Sequence, residues 1–411
     1  MPSLSEKLKS LGVQVGTQGI SSSRGLTHFP IDQVVEGQIF ENTFGMSFVA
    51  QQHYPLDHHH GLTPVKLSAS LQRISSWLAI PRLASLELSD FIFLDTETSG
   101  LAGGSGTFVF LIGVGRFDQS GFHLAQYFLR DPIEEPAQLN GLIQYLSLFQ
   151  GLVTYNGKAF DIPLLTTRFI LNGEASPFTS IVHLDLLPLA RRLWRDRLPS
   201  RTLGQIEQHI LGATRTEEDV PGWLIPSLYF DYLKTGDARP LRSVFYHNAM
   251  DVLAMAALLN HIAKMLEAPM PGVIQHGIDL IAVGKIFEDM GDFNTAAQCF
   301  SDGLDTDIPS QNRREAIRRW SLMEKRRSNL TKAIELWRLA ADEHDLQACI
   351  ELAKHYEHHT RDYGQAIEWT QLALDLVRVG DFTQFEKQQQ LLELEHRLSR
   401  LERKNFRGSD Q

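Results

Sequence analysis

Cysteine is nearly absent: the 411 residues include two, Cys299 and Cys349, both in apolar helical stretches. So few thiols in so long a chain exclude a disulfide scaffold, and both are expected as buried thiols in a reducing compartment. No uninterrupted apolar run reaches the ~20 residues that span a bilayer, so no membrane partner is expected. The opening MPSLSEKLKSLGVQV lacks an apolar core followed by a small-residue cleavage site. It does not read as a secretory signal, and a cytoplasmic location is expected. Positive charge is short too, with 39 Lys and Arg against 49 Asp and Glu and a formal net charge of −10. That balance excludes a surface that attracts nucleic acid everywhere, but not a local basic stripe. A phosphate-binding glycine loop is also missing. Gly103, Gly104 and Gly106 are followed by no Gly-Lys-Ser/Thr and read as a linker between strands.

With 43% hydrophobic and 21% charged residues the chain reads as a globular protein of two or three domains. Residues 1–87 form an N-terminal extension, partly ordered. Its first 25 residues, punctuated by Gly and Ser, are expected to be loose, and HFPIDQVVEGQIFENTFGMSFVAQQHYPLD suggests short strands. His53, His58, His59 and His60 invite a metal reading. Successive side chains of an extended chain point oppositely, so a polar loop packed on the next domain is preferred.

Residues 88–266 read as α/β. DFIFLDTE, FVFLIGVGRFD and FHLAQYFLR are apolar strands in a meander, the last two joined by a turn at Asp118–Gly121. Helices and strands then alternate, ending in the long helix RSVFYHNAMDVLAMAALLNHIAKML. Strand signals vanish after Pro269, Pro271 and Gly272. Over 277–403, three segments carry equivalent alanines, Ala296, Ala333 and Ala366, spaced 37 and 33 apart. That is close to the ~34-residue tetratricopeptide period, so an all-α helical repeat domain is expected, either as a brace or as a platform for a protein partner. Two basic clusters stand out, Arg191, Arg192, Arg195, Arg197 and Arg201, and Arg313 through Arg327. Each alone reads first as a solvated helix face.

Four acids carry the chemistry: Asp95 and Glu97 in FIFLDTETSG, Asp161 in TYNGKAFDIPLL and Asp251 in YHNAMDVLAM. On a strand, residues i and i+2 share a face, so Asp95 and Glu97 can enter one site. Asp161 opens a helix, where an N-cap role competes. Asp251 lies inside a helix, where capping explains nothing. Carboxylates in apolar settings need compensation, and a pair of divalent cations suits four of them.

Taken together, residues 88–265 resemble the DEDD superfamily of 3′–5′ exonucleases, with their ribonuclease H-like fold. The ordered motifs are a strand with DxE, a helix with N-x-x-x-F-D, and a closing helix with an aromatic or His ahead of its Asp. The trailing repeats make the whole most similar to a bacterial predicted-exonuclease branch. The resemblance implies an α/β ribonuclease H-like domain (a mixed sheet flanked by helices) followed by tetratricopeptide-like repeats. It also implies two Mg²⁺ or Mn²⁺ ions held by Asp95, Glu97, Asp161 and Asp251, and hydrolysis at the ends of single-stranded DNA or RNA. The general base departs from the family pattern. Tyr246 stands five residues before Asp251 and His247 four, the reverse of the usual types. A residue at i−4 shares the face of Asp251, and imidazole suits proton removal at neutral pH, so His247 is the expected base. Thr98, Ser99, Asn156 and Lys158 are expected at the nucleic acid, and Asp185 as a helix cap. The competing expectation is a weak or inactive nuclease fold that binds proteins through its repeats.

Overall fold

The computed structural model describes residues 29–100 and 106–409. The looseness expected of the first 25 residues and the linker reading of Gly103 and Gly104 therefore lie outside the described residues. Seven strands form the central sheet: β1 (Gly37–Asn42), β2 (Gly45–Pro55), β3 (Phe91–Thr98), β4 (Val109–Phe117), β5 (Gly121–Phe128), β6 (Gly151–Thr154) and β7 (Val182–Asp185). Their order is β1-β2-β5-β4-β3-β6-β7. Pairing is antiparallel from β1 to β3 and parallel across β3, β6 and β7. The β4–β5 turn forms because Asp118 Oδ1 accepts the Ser120 amide at 2.7 Å. The parallel strands need crossovers, which helices supply.

After α1 (Gln72–Leu78), those crossovers are α2 (Glu135–Leu146) and α3 (Asp161–Leu171). Then come α4 (Leu186–Trp194), the short α5 (Leu203–Ile206) with its π-helical continuation Glu207–Leu211, α6 (Ile225–Thr235) and α7 (Leu241–Glu267). Strand parity divides the core. Ile92 and Leu94 face Leu142, Leu165 and Phe169 of α2 and α3, while Phe91 and Phe93 face Val252 and Leu253 of α7. The mixed sheet is thus flanked by helices on both faces, as expected.

Helix α7 is long and apolar enough to resemble a membrane span, yet 78% of its most apolar window is buried inside the protein. Two glycines let it lie close to β4. A Cβ on Gly113 would stand 2.1 Å from Asn248 Oδ1, and one on Gly115 2.7 Å from Val252 Cγ1. The hairpin β1–β2 extends the same sheet beyond β5, so residues 37–55 share hydrogen bonds with the α/β region instead of standing apart from it. Of the four histidines there, His60 is buried against Glu207 (Nε2 to Oε1, 2.8 Å) and His53 packs at a tilt against His123. They converge on no common point.

The rest of the chain is helical: α8 (Gly277–Asp289), α9 (Phe293–Leu304), α10 (Ser310–Arg326), α11 (Leu330–Asp342), α12 (Leu346–His355), α13 (Tyr363–Val379) and α14 (Gln384–Ser409). Ala296, Ala333 and Ala366 are fully buried on α9, α11 and α13. One continuous core runs from α4 and α7 into these helices through Trp194, Leu259, Ile281 and Phe287. Cys299 and Cys349 are buried free thiols; burial pushes them up to about 12 and about 11. After α12, a π-helical turn presents Glu357 to Arg397, Arg400 and Lys404 of α14, at 3.0, 2.8 and 2.9 Å.

Candidate active site

Strand β3 is buried over its first four residues and half-buried over its last four, so Asp95 and Glu97 emerge where the sheet ends. Asp95 is fixed from behind by a buried amide relay. Gln126 Nε2 donates to the Phe245 carbonyl at 2.8 Å and to Asn248 Oδ1 at 2.9 Å. Asn248 Nδ2 then donates to Asp95 Oδ2 at 2.9 Å. Gly113, opposite Asp95 in the register, leaves the space for Asn248.

Asp161 is the first residue of α3 and does not cap it. The capping position belongs to Phe160, and no side-chain cap bond forms there. The Asp161 carboxylate instead accepts the Thr96 hydroxyl. Asp251 comes from α7. Desolvation holds the Asp95 carboxyl well above the ordinary range, and repulsion from Asp251, Glu97 and Asp161 adds to it while Asn248 opposes. Glu97 is raised by desolvation and by Asp251 and Asp161. Asp161 is pushed up to about 6, mainly by desolvation, with its Thr96 bond opposing and Asp185 and Asp251 adding repulsion. The fold thus brings all four acids within mutual electrostatic reach.

One guanidinium stands against them. Arg215 binds the Asp251 carboxylate and reaches Glu207 Oε2 at 2.5 Å. Although desolvation opposes it, Asp251 and Glu207 hold Arg215 above its ordinary value. Glu207 is itself almost fully buried and also bonded to His60. Among the described residues, no three His, Cys, Asp or Glu side chains are drawn close enough to grip an ion. The donor chemistry nevertheless fits a hard divalent cation: oxygen ligands only, charge in excess, and carboxyls strained by their neighbours.

His247 lies one turn before Asp251. Its Nδ1 is 2.8 Å from Asp219 Oδ1 and 3.1 Å from Arg215 Nη1, and its Nε2 is 3.6 Å from Asp251 Oδ2. Arg215 can only donate, so Asp219 is the neighbour able to accept an Nδ1 proton; we assign the proton there, which leaves the Nε2 lone pair facing the acids. Tyr246 is turned aside. Its hydroxyl accepts the Thr216 amide at 3.1 Å, and its ring lines a separate hollow with Tyr54 and Met250.

The remaining expected residues divide. Thr98 donates to the Gly100 carbonyl at 2.9 Å, and the buried Ser99 hydroxyl accepts the Phe108 amide at 2.8 Å. Both hydroxyls are engaged within the turn. Asn156 adopts φ +67°, a left-handed conformation that Asn tolerates. The amides of Asn156 and Lys158 donate to Asp185 at 2.8 and 3.1 Å. Asp185 also caps α4 by accepting the Leu187 amide at 3.1 Å, so it joins the site loop to that helix. Lys158 is exposed.

Sequence reasoning missed Arg215, Asp219, Glu207, Asn248 and Thr96. Asn248 carried a usable signal, since a residue three before Asp251 shares its helix face. Arg215 and Asp219 sit in TRTEEDVPG, whose mixed charge reads locally as solvated loop.

Residues 92–263 match RNase_H_2, a family of the RNase_H superfamily. Over 414 aligned residues the chain is 30% identical to the uncharacterized protein YprB of Bacillus subtilis (strain 168), covering 96% of this chain and 97% of that protein. Among solved structures, the family B DNA polymerase of the archaeon Pyrobaculum calidifontis aligns with 49% of this chain at 16% identity and a TM-score of 0.33. The aligned part spans 29% of the polymerase.

Proposed function

This chain belongs to the family of YprB and carries an RNase H superfamily domain over residues 92–263, and from that premise we propose a metal-dependent 3′–5′ exonuclease acting on the ends of single-stranded DNA or RNA. The observation that carries the reading is the gathering of Asp95, Glu97, Asp161 and Asp251 at one end of the sheet, at a cost to the ionisation of the first three. These four would hold two Mg²⁺ or Mn²⁺ ions, which supply charge against the phosphate and activate water.

The chain's own residues do the positioning. Gln126 and Asn248 fix Asp95, and Thr96 fixes Asp161. Asp219 orients His247, whose Nε2 takes the proton from the attacking water. Two exposed aromatics flank the site and offer faces for bases. Phe160 directly precedes Asp161 and is 62% exposed; Trp223 is 72% exposed. Trp223 follows Gly222, on which an added Cβ would lie 4.0 Å from His247 Nε2. The helices from Gly277 onward serve in this reading as a tetratricopeptide-like platform, in a cytoplasmic protein.

The Arg215–Asp251 contact favours one other reading, an inactive scaffold in which a guanidinium permanently takes the place of a cation. Incubation of 5′-labelled single strands with Mg²⁺, Mn²⁺ or chelator separates the two. The nuclease gives a metal-dependent ladder of shortened products, reduced roughly a thousandfold in Asp161→Ala. The scaffold leaves the strands intact, and a ladder unaffected by Asp161→Ala sinks the assignment of the site.

A further inference from the structure

We propose that the groove formed by α8, α9 and α10 is a track for the phosphate backbone of a single strand leaving the candidate site; this rests on the nuclease reading above. Two adjoining hollows of about 280 and 390 Å³ share Glu288, Arg319 and Arg326 as walls. Arg318 lines the first and Phe293 the second.

The charge of this groove is one-sided once pairs are cancelled. Glu288 is taken by Arg319, Asp289 by Arg192 and Arg319, and Glu315 by Lys285. Arg314, Arg318 and Arg326 are exposed and have no ion pair among the described residues. They fall on one helix face, since 314, 318, 322 and 326 repeat every four residues. Phe293 is 39% exposed in the wall, with the Arg327 guanidinium 5.8 Å from its ring centre. Free cations beside an exposed aromatic are the elements from which sequence-tolerant single-strand grooves are made.

The groove is also joined to the site. Asp289 is held both by Arg192 of α4 and by Arg319 of α10, the latter at 2.5 Å. Next to Arg192, the exposed Arg191 acts electrostatically on Tyr155. The Tyr155 hydroxyl donates to the Arg201 carbonyl at 2.5 Å, and Tyr155 directly precedes the loop of Asn156 and Lys158. Arg192 of the first basic cluster and Arg319 of the second, separate in sequence, are therefore bridged by one carboxylate, and α4 leads from that bridge back to Asp185 and the Asn156 loop. An acidic protein segment is the other occupant such charge would suit. The exposed Phe293 in the wall favours the strand.

The test is fluorescence anisotropy of labelled oligothymidylates of about 6 and about 20 nucleotides, the longer exceeding the ~4–16 nucleotides that one such groove takes, in chelator over a range of salt. The proteins compared are wild type, Arg318→Ala/Arg326→Ala and Arg318→Lys/Arg326→Lys. The long strand is expected to bind about tenfold more weakly to the alanine variant, with the log–log salt slope reduced by about 1.4, roughly 0.7 for each lost phosphate contact. The lysine variant should keep most of the affinity. Mn²⁺-dependent shortening of the 6-mer should be equal in all three proteins. Unchanged long-strand affinity and slope in the alanine variant overturn the track while the site reading stands. A wild type that neither binds the long strand nor shortens the short one overturns both.

Discussion

Asp95 and Glu357 are both carboxylates enclosed by this protein, in opposite company. Asp95 shares its surroundings with Glu97, Asp161 and Asp251, and desolvation and repulsion hold it well above the ordinary range. Glu357 is ringed by Arg397, Arg400 and Lys404. Burial acts to raise it, but the bonds and charges of these neighbours hold it at about 2. The second arrangement is what a fold does with an acid it needs only for attachment: it surrounds the acid with donors and closes α14 onto the π turn. The first is what a fold tolerates when the acids await a charge from outside. Surplus like charge at one sheet end costs stability and has no structural return.

Substitutions in the two regions should act in different ways. Arg215→Ala removes the guanidinium that faces the four acids and leaves Glu207 buried without it. Breaking such a pair is expected to cost about 3–5 kcal/mol in denaturant unfolding. Added Mn²⁺ should recover the part owed to Asp251 but not the part owed to Glu207. A variant as stable as wild type would mean that the acids do not need the counter-charge.

Glu357→Gln is expected to cost about 2 kcal/mol at neutral pH, since hydrogen bonds to charged partners are lost from a buried position while the three cations can relax toward water. The pH dependence runs in opposite directions in the two regions. The Glu357 carboxyl falls from 4.5 to about 2 on folding, so its stabilisation is complete above 4.5 and is lost as pH falls toward 2. The Asp161 carboxyl rises from 3.8 to about 6, so metal-free protein loses stability as pH climbs through that window. Unfolding curves at several pH values should show the gap between wild type and Glu357→Gln narrowing in acid. Asp161→Asn should flatten the loss between 3.8 and about 6.

The smallest effect belongs to Tyr246→Phe. Its hydroxyl only accepts the Thr216 amide at an exposed loop, so a cost under about 1 kcal/mol and turnover within about threefold are expected. A hundredfold loss of turnover would move the general base from His247 to Tyr246.

The part of the site that follows local rules was legible in the chain. Strand parity alone puts Asp95 and Glu97 on one face, and helical spacing puts His247 beside Asp251. The meander and the crossover helices could be read from apolar runs and turn residues. The β1–β2 hairpin could not be joined to the sheet in advance, because its pairing with β5 links residues about 70 positions apart and leaves no local period. Arg215 was invisible for a similar reason. Nothing within its loop indicates that Glu207 and Asp251 converge on it, and the amide relay through Gln126 exists only once Gly113 lets α7 approach β4. The helix-cap alternative for Asp161 was sound as local chemistry, but the helix begins one residue too early for it.

Calorimetric titration of Mn²⁺ into wild type and Asp95→Asn, paired with their melting in chelator, decides whether the four acids form a cation site. If the four acids are a strained, cation-awaiting site, wild type takes up about two ions per chain. Asp95→Asn, which keeps an acceptor for Asn248, should then lose most of that uptake yet melt higher than wild type without metal. Equal Mn²⁺ binding by both proteins, or a variant that melts lower in chelator, would mean that the four acids do not form such a site.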